Sequence, residues 1–254
     1  MSGIDSYTKL LLHCDGVDGS QTFTDSATGK TITAVGNAQI DTAQKKFGTG
    51  SALFDGTGDY LTTPDHADFN VGSGAFTFDW WIRFNSVAET QFIFDQKTGG
   101  VDRWYLMWYQ PTTSLNLQVY ASAARVINLD ATWLPSVNTW YHVVLVRTGN
   151  TFKAFVDGSQ IGDDVSDTSA IPNMAEVFYI AVKNDGTKAI NGWIDEFRFS
   201  KGIARWTANF TPPLHSYGLL AGIQKWWMMS EAWQRHDRLW TPKGLLVPNY
   251  GIIS

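Results

Sequence analysis

Cysteine is nearly absent. Cys14 is the single one in 254 residues, which excludes an internal disulfide framework and a thiolate-built zinc site. Glutamate is scarce too: of 24 acidic residues only Glu89, Glu176, Glu196 and Glu231 are Glu, and the rest are Asp. Asp serves turns and caps where Glu serves helices, so a mainly helical chain is disfavoured. Basic charge is also short. Nineteen Lys and Arg leave a net charge of −5, without the basic footprint of a nucleic-acid binder. No run approaches the ~18 apolar residues of a membrane span. The start, Met1 to Asp15, offers only a short Leu10–Leu12 run and no small-residue cleavage site, so no secretory signal is expected.

What is present is aromatic and turn-rich. Apolar residues make up 44%, aromatics 14%, and there are 23 Gly and 12 Trp. Phe76 to Phe84 alternates, with Phe76, Phe78, Trp80, Ile82 and Phe84 on one face. Trp140 to Arg147 reads as a strand, and Thr148-Gly149-Asn150 turns it into Thr151–Val156, closed by Asp157-Gly158. Trp193 to Phe199 alternates again, placing Trp193, Asp195, Phe197 and Phe199 on one face. Short alternating runs between turn residues predict an all-β, two-sheet antiparallel sandwich over 1–217. Phe78, Trp80 or Trp81, Val144 and Phe197 are its expected core.

Composition changes after Thr211-Pro212-Pro213, where two prolines bar helix and central strand. Residues 218–254 carry +2 and hold Trp226, Trp227, Trp233 and Trp240. Trp226, Trp233 and Trp240 are seven apart, which predicts an amphipathic helical stripe ended by Thr241-Pro242. An aromatic C-terminal helix and an extended anchoring tail, docking on another subunit through these four tryptophans, is the reading; a helix folded back on its own sandwich is the alternative.

Four segments carry a family resemblance. They are Leu10–Gly16 with Phe23–Ser26, the Gly-rich Phe47–Leu61, the central runs Phe76–Phe84 and Trp140–Val146, and Gly192–Phe199 followed by Lys201–Trp206. In this order they resemble a laminin-G-like, concanavalin A-like jelly roll of the kind found in bacteriophage structural proteins of the tail or capsid decoration. The resemblance covers 1–217 and implies a Gly-rich hairpin at Phe47–Leu61. It speaks for fold more than function, because such folds host many functions.

The resemblance also implies a place for calcium, between the Asp25 loop and Asp195 on the closing strand. Calcium takes six to eight oxygen ligands, and Asp25 to Gly29 has a carboxylate and carbonyls to offer. The competing reading is that Asp25 closes an Asx-turn and Asp195 accepts backbone amides. Trp104 and Trp108 share one strand face, and Tyr105 and Tyr109 the other. One pair belongs to the core, and the exposed pair, with Tyr120, is a candidate sugar-stacking surface. Asp79, Trp81 and Arg83 are candidates to line the same sheet surface. A glucanase needs two carboxylates flanking the scissile bond. Asp195 and Glu196 are adjacent, which places them on opposite faces of a regular strand. His13, His66, His142, His215 and His236 show no metal-ligand spacing.

The expectation is a non-catalytic virion structural or adhesion module, a tail fibre or decoration protein. It is made in the host cytoplasm and located in the virion. It binds other virion subunits and a host-surface glycan, and forms a homo-oligomer. A glycan-cleaving enzyme and a purely structural particle protein are the alternatives.

Overall fold

The computed structural model describes residues 4–218. Among them fifteen strands pair antiparallel into two sheets. They are β1 (Thr8–Leu12), β2 (Thr33–Val35), β3 (Gln39–Asp41), β4 (Ser51–Asp55), β5 (Tyr60–Thr63), β6 (Phe76–Phe84), β7 (Gln91–Thr98), β8 (Asp102–Tyr109), β9 (Ser114–Ala121), β10 (Ala124–Thr132), β11 (Trp140–Thr148), β12 (Thr151–Val156), β13 (Ser159–Ser166), β14 (Phe178–Ile180) and β15 (Asn191–Lys201). The eight-stranded sheet runs β13-β12-β11-β6-β15-β4-β3, with β1 pairing along β15. The seven-stranded sheet runs β10-β9-β8-β7-β14-β5-β2. Two 3-10 turns, Ala67–Phe69 and Gln110–Thr112, complete the regular structure of the described residues. The segment 218–254, with its expected helix, lies outside them apart from Gly218.

The core between the sheets follows the alternation of the strands. Phe76, Phe78, Trp80, Ile82 and Phe84 of β6 all point inward, where Phe78 stacks on Phe94 and Phe199 at 4.5 and 4.4 Å. Burying each such ring stabilises the fold by about 1.5–3 kcal/mol. The β11–β12 turn forms as expected, with Thr148 opposite Thr151. The Gly-rich segment 47–61, however, is not a hairpin. Its two strands enter different sheets, β4 pairing with β3 and β15, and β5 with β2 and β14, so this segment crosses between the layers.

Part of the outer face of the eight-stranded sheet, over β11 and β12, is covered by the chain's own strap, residues 202–218. Trp206 and Phe210 stack on each other at 4.5 Å and close over Val144, Val146 and Phe155. Val144 is therefore buried as expected, but beneath the strap and not between the sheets. The Phe210 N–H donates to the Gly158 carbonyl at 2.9 Å. A Cβ at Gly158 would lie 1.8 Å from the Phe210 carbonyl oxygen, so only glycine lets the strap dock on the β12–β13 turn.

β15 has one irregularity that matters for the chemistry. Along one edge it pairs first with β4, at Asn191–Ile194, and then with β1, at Phe197–Ser200. In the gap between these partners its register with β6 slips, between Asp195 and Arg198, and Glu196 adopts φ 53°. This bulge adds one residue to the alternation. Phe197 and Phe199 turn into the core while Asp195 stays on the outer side with Trp193. The expectation that Trp193, Asp195, Phe197 and Phe199 share a face holds only in halves.

Candidate functional site

The candidate ligand surface lies on the outer face of the seven-stranded sheet, on β7 to β10. Alternation along β8 sends Trp104, Leu106 and Trp108 into the core and Tyr105, Met107 and Tyr109 outward. Trp104 and Trp108 are thus corrected from ligand candidates to core residues. Both are fully buried, and their indole N–H groups are satisfied by Gln96 Oε1 and the Trp133 carbonyl, each at 3.1 Å. The wide indoles fill the space between the sheets, and the tyrosines keep their hydroxyls outside it.

Phe92, Tyr105 and Met107 form the floor of this surface, with Tyr109 and Tyr120 partly exposed at its rim. The Tyr105 and Tyr120 rings lie 6.2 Å apart at 19°, and both hydroxyls donate to Gln118 Oε1, at 2.6 and 2.9 Å. Arg103 lies 4.4 Å over the Tyr105 ring and is held there by Asp95, to which its Nε donates at 2.8 Å. Burial pushes the Asp95 carboxyl up against the pull of Arg103. Burial, then the neighbouring Tyr120, pushes the Tyr105 phenol up, so its hydroxyl stays a neutral donor. Asn116 stands opposite Met107 on the same face. Its Oδ1 is buried without a hydrogen-bond partner. Sequence reasoning missed Phe92, Arg103, Gln118 and Asn116. Their register against Tyr105 and Met107 was the only signal, and it needed the strand pairing.

Asp79, Trp81 and Arg83 do not line this surface. They belong to β6, on the outer side of the other sheet. Asp79 is fully buried there. It accepts from Arg198 Nε at 2.9 Å and from the Tyr217 hydroxyl, with His142 Nε2 at 3.7 Å.

Asp195 and Glu196 are not on opposite faces. The bulge turns both carboxylates out of the inter-sheet core, Asp195 against the Lys46–Phe47 segment and Glu196 against Tyr217 of the strap. Asp195 Oδ2 accepts the Lys46 and Phe47 N–H groups at 2.8 and 3.0 Å. Glu196 bonds His13 Nδ1 at 2.7 Å and accepts the Tyr217 N–H at 2.8 Å. Burial, reinforced by the charge of Glu196, pushes the Asp195 carboxyl up to about 8. A glycosidase pair must flank a sugar that can reach it, and these carboxylates are 0% and 1% exposed.

Asp25 does not fit a calcium ion. Its Oδ1 accepts the Leu11 and Ala27 N–H groups, and its Oδ2 the Lys30 N–H and the Thr28 hydroxyl, at 2.7–3.0 Å. Burial alone would raise this carboxyl, but those donors hold it below its ordinary value. A carboxylate ringed by N–H groups presents positive dipoles where a cation would need oxygens. Among the described residues no group of three or more His, Cys, Asp or Glu is placed to hold a metal ion. The proposed partner residues Trp226, Trp227, Trp233 and Trp240 lie outside the described residues.

Together the two stacked antiparallel sheets define a jelly-roll-like β-sandwich. The profile of the Laminin_G_3 family, described as the concanavalin A-like lectin/glucanases superfamily, matches residues 55–205. The match spans more than half of the chain, which belongs to this family. No curated protein sequence matches it. Among solved structures it is similar to domain 4 of AbnA, a GH43 extracellular arabinanase from Geobacillus stearothermophilus, solved with arabinotriose. The identity is 18% and the TM-score 0.57, over 80% of this chain and 94% of that one. It is also similar to the binding domain of Paraclostridial Mosquitocidal Protein 1, at 14% identity and TM-score 0.60, over 78% and 50%. The botulinum neurotoxin serotype D binding domain gives 13% and 0.60, over 79% and 50%. The chain thus spans about half the length of the toxin domains and nearly all of the arabinanase domain. No helix among the described residues is long and apolar enough to cross a membrane.

Proposed function

We propose that this chain is a non-catalytic glycan-binding module of a bacteriophage particle, in a tail fibre or as capsid decoration. The outer face of β7 to β10 meets a host-surface sugar, and the C-terminal segment docks on another virion subunit. The observation that carries the sugar reading is the pair of partly exposed rings, Tyr109 and Tyr120, at the rim of an aromatic floor made by Phe92, Tyr105 and Met107. A saccharide presents C–H faces that stack on such aromatics, and hydroxyls that bond their polar neighbours. A similar structure points the same way, since the arabinanase domain was solved with a bound oligosaccharide. The particle setting is supported by the order of the four sequence segments. Copies arrayed in a homo-oligomer compensate weak single-site binding through avidity.

The sealed state of Asp195 and Glu196 favours binding over hydrolysis. The test is a neutral glycan array, run with reducing-sugar release on every hit. Binding without release supports the module. Release identifies an enzyme, and a blank array with no host-cell binding leaves a structural particle protein.

A further inference from the structure

The opposite sheet carries a second surface of different chemistry. Arg83 of β6 stands directly opposite Trp140 of β11 and Trp193 of β15. Directly paired residues share a face, so the three side chains form one row across the eight-stranded sheet. Their neighbours Tyr141, Ile82 and Ile194 pack into the core, which turns the row outward, and all three members are partly exposed.

The row is pre-set. The Trp193 indole N–H donates to Asp41 Oδ2 at 2.7 Å, which fixes the ring. The Arg83 guanidinium lies 4.7 Å over that ring. Two residues along β6, on the same face, Trp81 carries Lys46 Nζ at 4.0 Å. Neither cation has an acidic partner among the described residues, whereas Lys30, Arg103, Lys153, Lys183, Lys188, Arg198 and Arg205 each pair with a carboxylate. The Trp81 indole N–H is buried without an acceptor as well.

We infer that the Trp140–Arg83–Trp193 row binds a carboxylate-bearing saccharide. A stacked guanidinium offers its edge N–H groups to a carboxylate in two parallel bonds. The flanking indoles accept the C–H faces of the sugar ring. Lys46 adds a second positive charge one step along the strip. An acidic sugar presents an anion beside an apolar ring face, which this row matches. A neutral sugar would leave the guanidinium unused. This site is separate from the Tyr105 surface and does not rest on it.

The experiment uses the full chain and tryptophan fluorescence or calorimetry. The probes are an oligogalacturonate trimer and its methyl ester, sialyllactose and lactose, and dextran sulfate. At least one carboxylated sugar is expected to bind, its neutral counterpart at least tenfold more weakly, and affinity is expected to fall with salt. Arg83→Gln is expected to lower affinity at least tenfold, Arg83→Lys to restore it in part, and Trp140→Ala to weaken it. Tyr109→Ala and Tyr120→Ala, on the other sheet, should leave it unchanged. Absence of binding to both acidic sugars at millimolar concentration overturns the inference, as does binding indifferent to Arg83→Gln. So does dextran sulfate binding with no carboxylated sugar bound. If the tyrosine variants alone abolish binding, the inference fails and the glycan reading of the other face survives. If neutral sugars all fail and Arg83-dependent acidic binding remains, the reverse holds.

Discussion

Arg198 Nε donates to Asp79 Oδ1 at 2.9 Å, and both side chains are fully buried. The pair sits outside the inter-sheet core, on a sheet face that would be wet if the strap did not cross it. The Arg198 guanidinium stacks on the Tyr217 ring at 3.6 Å, while the Tyr217 hydroxyl donates to Asp79. Arg198 holds the Asp79 carboxyl below its ordinary value against the opposing push of burial. Removing one partner leaves the other charge buried. Arg198→Met is therefore expected to cost about 3–5 kcal/mol, and Asp79→Leu with Arg198→Met together much less. Urea denaturation of the single and double variants measures this. A double variant destabilised by the sum of the Arg198→Met and Asp79→Leu single effects would show that the charges are not coupled.

Asp195 makes stability depend on pH in a defined direction. An unfolded Asp titrates near 3.9, whereas burial and Glu196 lift this one to about 8 in the fold. Between those values the folded chain holds a proton that the unfolded chain has released. Stability contributed by this group is complete below about pH 4 and is lost progressively as pH rises to about 8, by at most ~1.4 kcal/mol per pH unit. Asp195→Asn keeps an acceptor for the Lys46 and Phe47 amides and cannot ionise. Its melting temperature is expected to fall less between pH 5 and pH 8.5 than that of the unaltered chain. Parallel curves would mean that the carboxyl is already ionised at neutral pH.

The limits of the sequence follow from the same residues. The alternation of β6 and the Gly149-Asn150 turn are local, so they were legible. That Trp104 and Trp108 share a face opposite Tyr105 and Tyr109 was legible by parity. Which pair faces inward was not, because both are aromatic and the answer depends on the width of the gap between sheets. The Asp195–Glu196 bulge was invisible because it arises where β15 changes its edge partner from β4 to β1, a long-range event. The segment 47–61 has hairpin turns in its composition but crosses between sheets, which only pairing reveals. Two prolines in Thr211-Pro212-Pro213 bar helix and central strand, and neither runs through it. That Trp206 and Phe210, just before it, form a lid depends on their long-range contacts.

The Tyr105 surface predicts selective losses. Asn116→Leu removes an acceptor that no protein group uses, so folding should be nearly unaffected. Binding of a glycan hit should also be nearly unaffected, because Asn116 is buried beneath the ring surface. Tyr109→Ala and Tyr120→Ala should each cost roughly tenfold in affinity, about 1.4 kcal/mol, through lost stacking. Trp104→Ala should unfold the domain by about 3–5 kcal/mol and say nothing about the ligand. If both tyrosine variants bind like the unaltered chain, the sugar lies elsewhere.

Calcium should leave the melting temperature unchanged, and so should a chelator. An ion bound only by the folded state would raise the midpoint by mass action, but the Asp25 oxygens already face N–H groups. Asp25→Ala should destabilise in either medium, because it strands the Leu11, Ala27 and Lys30 amides at about 1–3 kcal/mol each. A calcium-dependent rise in the unaltered chain that vanishes in Asp25→Ala would restore the metal reading.

The tail prediction joins the described strap to the sequence beyond it. Tyr217 is fastened to the sandwich twice, by its N–H to Glu196 and by its hydroxyl to Asp79. A chain ended after Gly218 keeps both fastenings, so the truncated sandwich is expected to fold. Residues 219–254 contain Trp226, Trp227, Trp233 and Trp240 with Met228, Met229, Leu245, Leu246, Ile252 and Ile253. Apolar content of this density is rarely left facing water, and tryptophan is enriched where subunits meet. Deleting 219–254 should therefore leave the melting temperature close to that of the full chain while abolishing the oligomer in light scattering and incorporation into particles. Alanine at Trp226 and Trp233 together should reproduce the assembly defect in the full-length chain. A truncated chain that unfolds would make the tail part of the sandwich's own packing. One that folds and still assembles would remove the tail from the docking role.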